Sequence, residues 1–205
     1  EDLELDIRRR GFLEETHFTV AYSPVPDENA PTGFGGVLAT VHEITAQVIG
    51  ERRVRVLREL GARSAEAKTV EEACRLAAES LALHPKDIPF SLLYLLDTDG
   101  FEARLAAAAG VEVGGAVSPP VLELRAGASA TSGWPLAGVV AGQRPQVVAD
   151  LRARFGPEGS TLPGGAETAV LLPIHVAHHV AGVLVAGVSP RQELDGEAPA
   201  AGDSG

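Results

Sequence analysis

The chain has 205 residues, 45% of them hydrophobic and 22% charged, which is enough apolar content for one full domain and part of another. Its net charge of −11, from 17 basic and 28 acidic residues, argues against a nucleic-acid surface or an anionic membrane face. The single cysteine, Cys74, excludes an internal disulfide and fits a reducing cytoplasm. No run reaches the roughly 18–20 apolar residues of a membrane span. There is no methionine, even at position 1, and EDLELDIRRRG has no signal-peptide pattern, so the chain reads as a piece of a longer protein.

Residues 1–16 are charged and short of apolar pattern, and no element is expected there. HFTVAYSPV (17–25) then alternates. Phe18, Val20 and Tyr22 share one face and Thr19, Ala21 and Ser23 the other, the pattern of a half-buried strand. A Pro-rich loop of about ten residues leads to a second β-rich run, GGVLATVHEIT (35–45). From Glu43 the period becomes helical. Ile44, Val48, Val54, Leu57 and Leu60 recur between arginines and glutamates, predicting a connector helix with a seam for a partner at Val54 and Leu57, or a solvated linker. Gly50 and Gly61 weaken any long coiled coil.

Thr69 followed by Glu72 is a capping-box pattern, and Val70, Ala73, Cys74, Ala77, Ala78 and Leu81 give the next helix one apolar face. Leu83-His84-Pro85 ends it. Ile88–Leu96 reads as a strand, DTDG (97–100) as a turn, and Phe101–Gly110 as the returning strand. Residues 111–133 are rich in Gly, Pro and Ser, with VLELR (121–125) as a short strand. Trp134–Gly142 reads as a short helix with Pro135 in its first position. QVVAD (146–150) follows as a strand, LRARFG as a helical turn and GPEGSTLPGG (156–165) as loop. TAVLLPIHV (168–176) and VAGVLVAGVS (180–189) form a hairpin turning at Ala177-His178-His179, apolar enough to lie mid-sheet and buried on both faces. The polar tail 191–205 is expected to be disordered.

This order, carried by SLLYLLDTDG, WPLAGVVAGQRPQVVADL and the Pro173-Ile174 and Gly182-Val183-Leu184 segments of the final hairpin, resembles a GAF domain over about residues 64–190. The fragment EETHFTVAYSPVPDENAPTGFGGVLATVHEIT, ending in His42-Glu43-Ile44-Thr45, is similar to the last strands of a PAS domain. The two resemblances imply an α+β fold: a GAF-like central antiparallel sheet with helices on one face, plus a PAS-type β-hairpin and a connector helix. The expected layout is a partial PAS-like segment at 1–45, a connector helix at 46–63, a GAF-like domain at 64–190 and a tail at 191–205. The GAF pattern also implies a C-terminal backing helix. RQELDGEAPAAGDSG shows no helical run, so one sheet face is expected to be under-covered unless the connector helix or another chain covers it.

The tandem resembles the sensory segment of a bacterial sensor histidine kinase. That implies a two-component signalling module that senses a small ligand or a partner and relays it through helix packing to a downstream kinase, in a cytoplasmic homodimer. The alternatives are a structural dimerisation segment with no ligand, or the sensory module of a phosphatase or a cyclic-dinucleotide enzyme. No catalytic residues and no metal site are identified, and the chain itself is expected not to be an enzyme. His42-Glu43 lacks the proline that a phosphoacceptor box places five residues on, where this chain has Gln47. His175, His178 and His179 read as surface histidines, and Cys74 as a buried structural thiol. The cyclic-nucleotide signature of some GAF domains is absent. The cofactor, if any, is left unidentified by the sequence. A ligand pocket would lie between the sheet and the 111–165 loops, with Trp134, Arg144 and Phe155 as its lining candidates.

Overall fold

A computed structural model describes residues 2–9, 11–124 and 133–191. The chain divides into two compact units, residues 1–55 and 56–205. The first is a three-stranded antiparallel sheet in the order β1 (Asp2–Arg9), β2 (Phe12–Pro26), β3 (Phe34–Glu43). The expected hairpin is β2–β3, with Val20 opposite Val41. β1 and the start of β2 correct the expectation for residues 1–16. Leu3, Leu5 and Ile7 alternate with Glu4, Asp6 and Arg8 at the strand period, but charged residues outnumber them and mask the pattern. Helix α1 (Thr45–Glu66) begins in this unit and ends in the second, running through both Gly50 and Gly61.

In the second unit, α2 (Val70–Ala82) is capped as its sequence predicts. Glu72 N–H donates to Thr69 Oγ1 at 3.1 Å, and the Glu72 carboxylate accepts from the Lys68 N–H at 2.8 Å, one residue earlier than the usual box. The sheet has six strands, all antiparallel neighbours: β6 (Val121–Glu123), β5 (Glu102–Ala109), β4 (Ser91–Leu96), β9 (His179–Val188), β8 (Thr168–Val176), β7 (Gln146–Val148). Three-residue strands form both edges, which limits the length of exposed ladder. DTDG is the β4–β5 turn. The Asp97 carboxylate accepts from the Phe101 and Glu102 amides at 3.0 and 3.2 Å, and Gly100 takes the φ of +71° that the reversal needs. The long return from β5 to β8 carries β6, α3 (Leu136–Gly142), β7 and α4 (Leu151–Ser160). This is the α+β class that the sequence predicted, with a central antiparallel sheet, but its helices pack on both faces rather than one, α2 on one side and α3 and α4 on the other, because alternate residues of the sheet's inner strands are apolar on both faces.

Alternation along β4 separates two cores. Leu92 and Tyr94 join Val183, Val185, Ala169 and Leu171 beneath Trp134, Leu136, Val139, Leu151 and Phe155. Leu93 and Leu95 face the other way with Leu184 and Ile174, against Cys74 and Ala78 of α2. Gly187 lets the strands close over Phe90: its N–H donates to the Phe90 carbonyl at 2.9 Å, and a Cβ there would run into the Phe90 ring.

Several local expectations are corrected. Pro135 is the N-cap of α3 rather than its first helical residue. α4 continues to Ser160 where loop was expected. It passes a kink at Gly156 (φ +58°, ψ −129°), a backbone state open to glycine, which sets the chain up to resume helix at Pro157. Residues Pro163–Gly165 form a 3₁₀ turn. In the final hairpin β9 is interior, but β7 pairs only with Ala169–Leu171 of β8, so His175 and Val176 are exposed rather than buried. Of the expected strand 121–125, Arg125 lies outside the described residues, as does the expected disordered tail apart from Arg191.

Candidate functional site

A cavity of about 460 Å³ lies where β5 gives way to the loop Gly110–Ser118 and meets the end of α4. Gly110 ends β5 with φ +78°, packed so tightly on the Pro89 carbonyl that no side chain fits. The loop then folds on itself. Gly114 N–H donates to the Ser118 carbonyl at 3.0 Å, Ser118 N–H to the Gly115 carbonyl at 3.2 Å, and the Ser118 hydroxyl to the Glu112 carbonyl. Val111, Val113, Val117, Leu162 and Pro163 supply apolar wall, and Glu112, Glu158 and Thr161 supply polar groups. A few polar groups set in an apolar lining is the usual make-up of a small-molecule site.

Val117 joins this cavity to the core. Its N–H donates to Glu158 Oε2 at 3.2 Å, and its carbonyl accepts from the Trp134 indole N–H at 2.6 Å. Trp134 in turn packs on Phe155 with ring centroids 4.7 Å apart and on Phe90 at 6.2 Å. Of the three lining candidates, Trp134 (2% exposed) and Phe155 (7%) are therefore together in the core beside the cavity, while Arg144 is exposed on the α3–β7 turn and joins neither. Val117, Gly115 and Glu158 were missed. The only sequence signal was the small-residue run VEVGGAVS, where Gly115 leaves room for the Glu158 carboxylate that a Cβ would strike.

On the opposite face of the same sheet, an apolar groove of about 600 Å³ runs between α2 and the strands. Ala73, Cys74 and Ala77 line one side and Leu93, Leu95, Ile174 and Leu184 the other. This is the face expected to be under-covered. Leu60 and Ser64, near the end of α1, reach its rim without filling it. Burial, with Glu71 nearby, pushes the Cys74 thiol up and disfavours its thiolate. On α1 the two residues of the expected seam are exposed, Val54 by 46% and Leu57 by 68%.

The first unit carries two polar constellations. Arg9 pairs bidentately with Glu43 at 3.2 and 3.0 Å, and Thr45 Oγ1 donates to the same carboxylate at 3.0 Å. These bonds hold the Glu43 carboxyl below its ordinary range and push the Arg9 guanidinium up. Glu43 thus anchors the end of β3 beside His42. The second constellation is buried: Arg52 pairs with both oxygens of Glu15 at 2.6 and 3.0 Å, and His17 Nε2 lies 3.0 Å from Glu15 Oε1. His175, His178 and His179 are all exposed around the β8–β9 turn.

No family model matches the chain, and no curated protein matches it. Solved structures do. The GAF domain of an Acinetobacter phosphoenolpyruvate-protein phosphotransferase aligns at 17% identity over 72% of this chain and 82% of its own, with a TM-score of 0.49. The A. aeolicus nlh2 GAF domain in an inactive state aligns at 19% over 65% and 76%, with a TM-score of 0.47. The free methionine-R-sulfoxide reductase of Staphylococcus aureus, in complex with its substrate, aligns at 15% over 68% and 82%, with a TM-score of 0.49. At these identities the likeness concerns the fold. The reductase match corrects the expectation that this chain is not an enzyme, because enzymes stand among the structures it resembles. Among the described residues no helix is long and apolar enough to cross a membrane.

Proposed function

We propose that the chain is a sensory and regulatory module whose second unit binds a small molecule in the Gly110–Ser118 cavity. The observation that carries this reading is the Val117 peptide, bonded on one side to Glu158 at the cavity wall and on the other to Trp134 in the core. A ligand that displaces the loop must disturb both bonds, so occupancy is felt by the packing around Trp134 and Phe155. The apolar groove on the other sheet face, rimmed by Leu60 of α1, is the surface through which helix packing would respond.

The finer assignment rests on the residue patterns. It places a PAS-like segment at 1–45, a connector at 46–63 and a GAF-like domain at 64–190, within a cytoplasmic two-component sensor acting on a downstream output domain. Val54 and Leu57 would supply the seam of a homodimer.

Native mass spectrometry of the purified chain over a range of concentrations tests the reading. A small bound mass that disappears in Gly115→Leu, which displaces the Glu158 carboxylate and fills the cavity from the loop side, is the expected result. A chain with no bound mass, and with no small molecule from a screen that binds the wild type but not Gly115→Leu, removes the ligand-sensing reading.

A further inference from the structure

We propose that the first unit carries a divalent transition-metal site built from Glu4, Glu15 and His17, with Asp2 orienting the imidazole. Glu4 on β1 and His17 on β2 are direct cross-strand partners, and Glu15 lies two residues before His17, on the same face. The three residues each offer one donor atom, and these atoms lie within 4.8 Å of one another. Glu15 and His17 are buried (1% and 6% exposed), which removes water as an easy partner.

The His17 ring supplies an independent argument. Its Nε2 is 3.0 Å from Glu15 Oε1, and its Nδ1 is 3.5 Å from Asp2 Oδ1. Nδ1 is buried and makes no hydrogen bond. A neutral imidazole carries one N–H. With the proton on Nε2, the Nδ1 lone pair faces the Asp2 carboxylate. With the proton on Nδ1, the Nε2 lone pair faces Glu15. Either tautomer sets a lone pair against a carboxylate oxygen, and a cation relieves the conflict. The second tautomer turns the distal N–H toward the Asp2 carboxylate 3.5 Å away, which a small closing movement would bring into the arrangement usual for a metal-bound histidine. Glu15 and Glu4 then complete an N,O donor set of the kind that zinc or manganese takes. Arg52, bonded to both Glu15 oxygens, occupies the place of the outer hydrogen-bond partner of a ligating carboxylate.

The test is calorimetric titration of the tag-free, chelator-treated chain with zinc chloride and, separately, manganese chloride, alongside the thermal midpoint of the same samples. One ion per chain and a raised midpoint are expected. His17→Gln should abolish binding at this site. Glu4→Gln and Asp2→Asn, which leave the buried residues in place, should weaken it by about 10- to 100-fold. Absence of binding by both metals overturns the proposal, and so does binding unchanged in Glu4→Gln and Asp2→Asn. Binding that survives those variants but is lost in His178→Gln assigns the ion to the exposed β8–β9 turn and likewise overturns it. A midpoint that responds to acidification but to neither metal puts a proton, not a metal ion, between His17 and its carboxylates, and also overturns the site.

Discussion

The Trp134 indole N–H donates to the Val117 carbonyl across 2.6 Å, and this bond joins the wall of a cavity to the aromatic centre of the core. Trp134→Phe keeps an apolar ring on Phe155 but leaves a buried carbonyl unpaired and a small void. The expected cost is about 2–3 kcal/mol, read as a lowered denaturant midpoint with unchanged slope. A loss below about 0.5 kcal/mol would show the bond to be incidental, since surface substitutions fall in that range.

The Arg52–Glu15 pair predicts a second loss. Glu15 is buried, and Arg52→Ala removes two charged hydrogen bonds from its carboxylate. The first unit should lose about 3 kcal/mol. Amide exchange along β1 and β2 checks it residue by residue.

Gly187 and Phe90 predict a steric effect of opposite kind. Gly187→Ala adds a methyl that meets the Phe90 ring, between two interior strands that cannot move apart. A destabilisation of about 1–3 kcal/mol is expected, and Phe90→Leu should relieve part of it in the double variant.

Cys74 predicts slow chemistry. Its thiol is buried and its pKa is raised, so the neutral thiol is the favoured form in the folded chain. A group raised on folding adds stability below its unfolded pKa and loses that contribution as pH rises through the folded value. Modification by a disulfide reagent at pH 8 should therefore be slower than in the unfolded chain by about 100-fold or more, tracking local opening. A rate near that of the unfolded chain would mean that the α2 groove opens readily.

Much of the architecture was legible because periodicity and turn chemistry agreed with tertiary packing. The α2 cap, the DTDG turn and the β8–β9 hairpin all follow from local rules. β1 was hidden because Glu4, Asp6 and Arg8 interrupt Leu3, Leu5 and Ile7, and because Glu4 meets its cross-strand partner His17 only once the sheet has formed. The first turn of α4 was legible in LRARFG, but its continuation to Ser160 was hidden by Gly156 and Pro157, which read as a helix stop yet only kink the chain. The candidate site was half legible. An aromatic pair near a loop is visible in Trp134 and Phe155, but the meeting of Val117 with Glu158, 41 residues on, is a tertiary event with no local signal. Arg144 carried charge in the right stretch but on an exposed turn.

Trp134 is the chain's single tryptophan, so its emission reports directly on the loop that walls the cavity. The most direct test of small-molecule sensing is a titration of that emission with a panel of cationic, anionic and neutral small molecules, in the wild-type chain and in Gly115→Leu. The account predicts that at least one member shifts the emission saturably in the wild type and that the filled cavity of Gly115→Leu abolishes the shift. Emission that no member moves, or a shift that Gly115→Leu leaves intact, would contradict it.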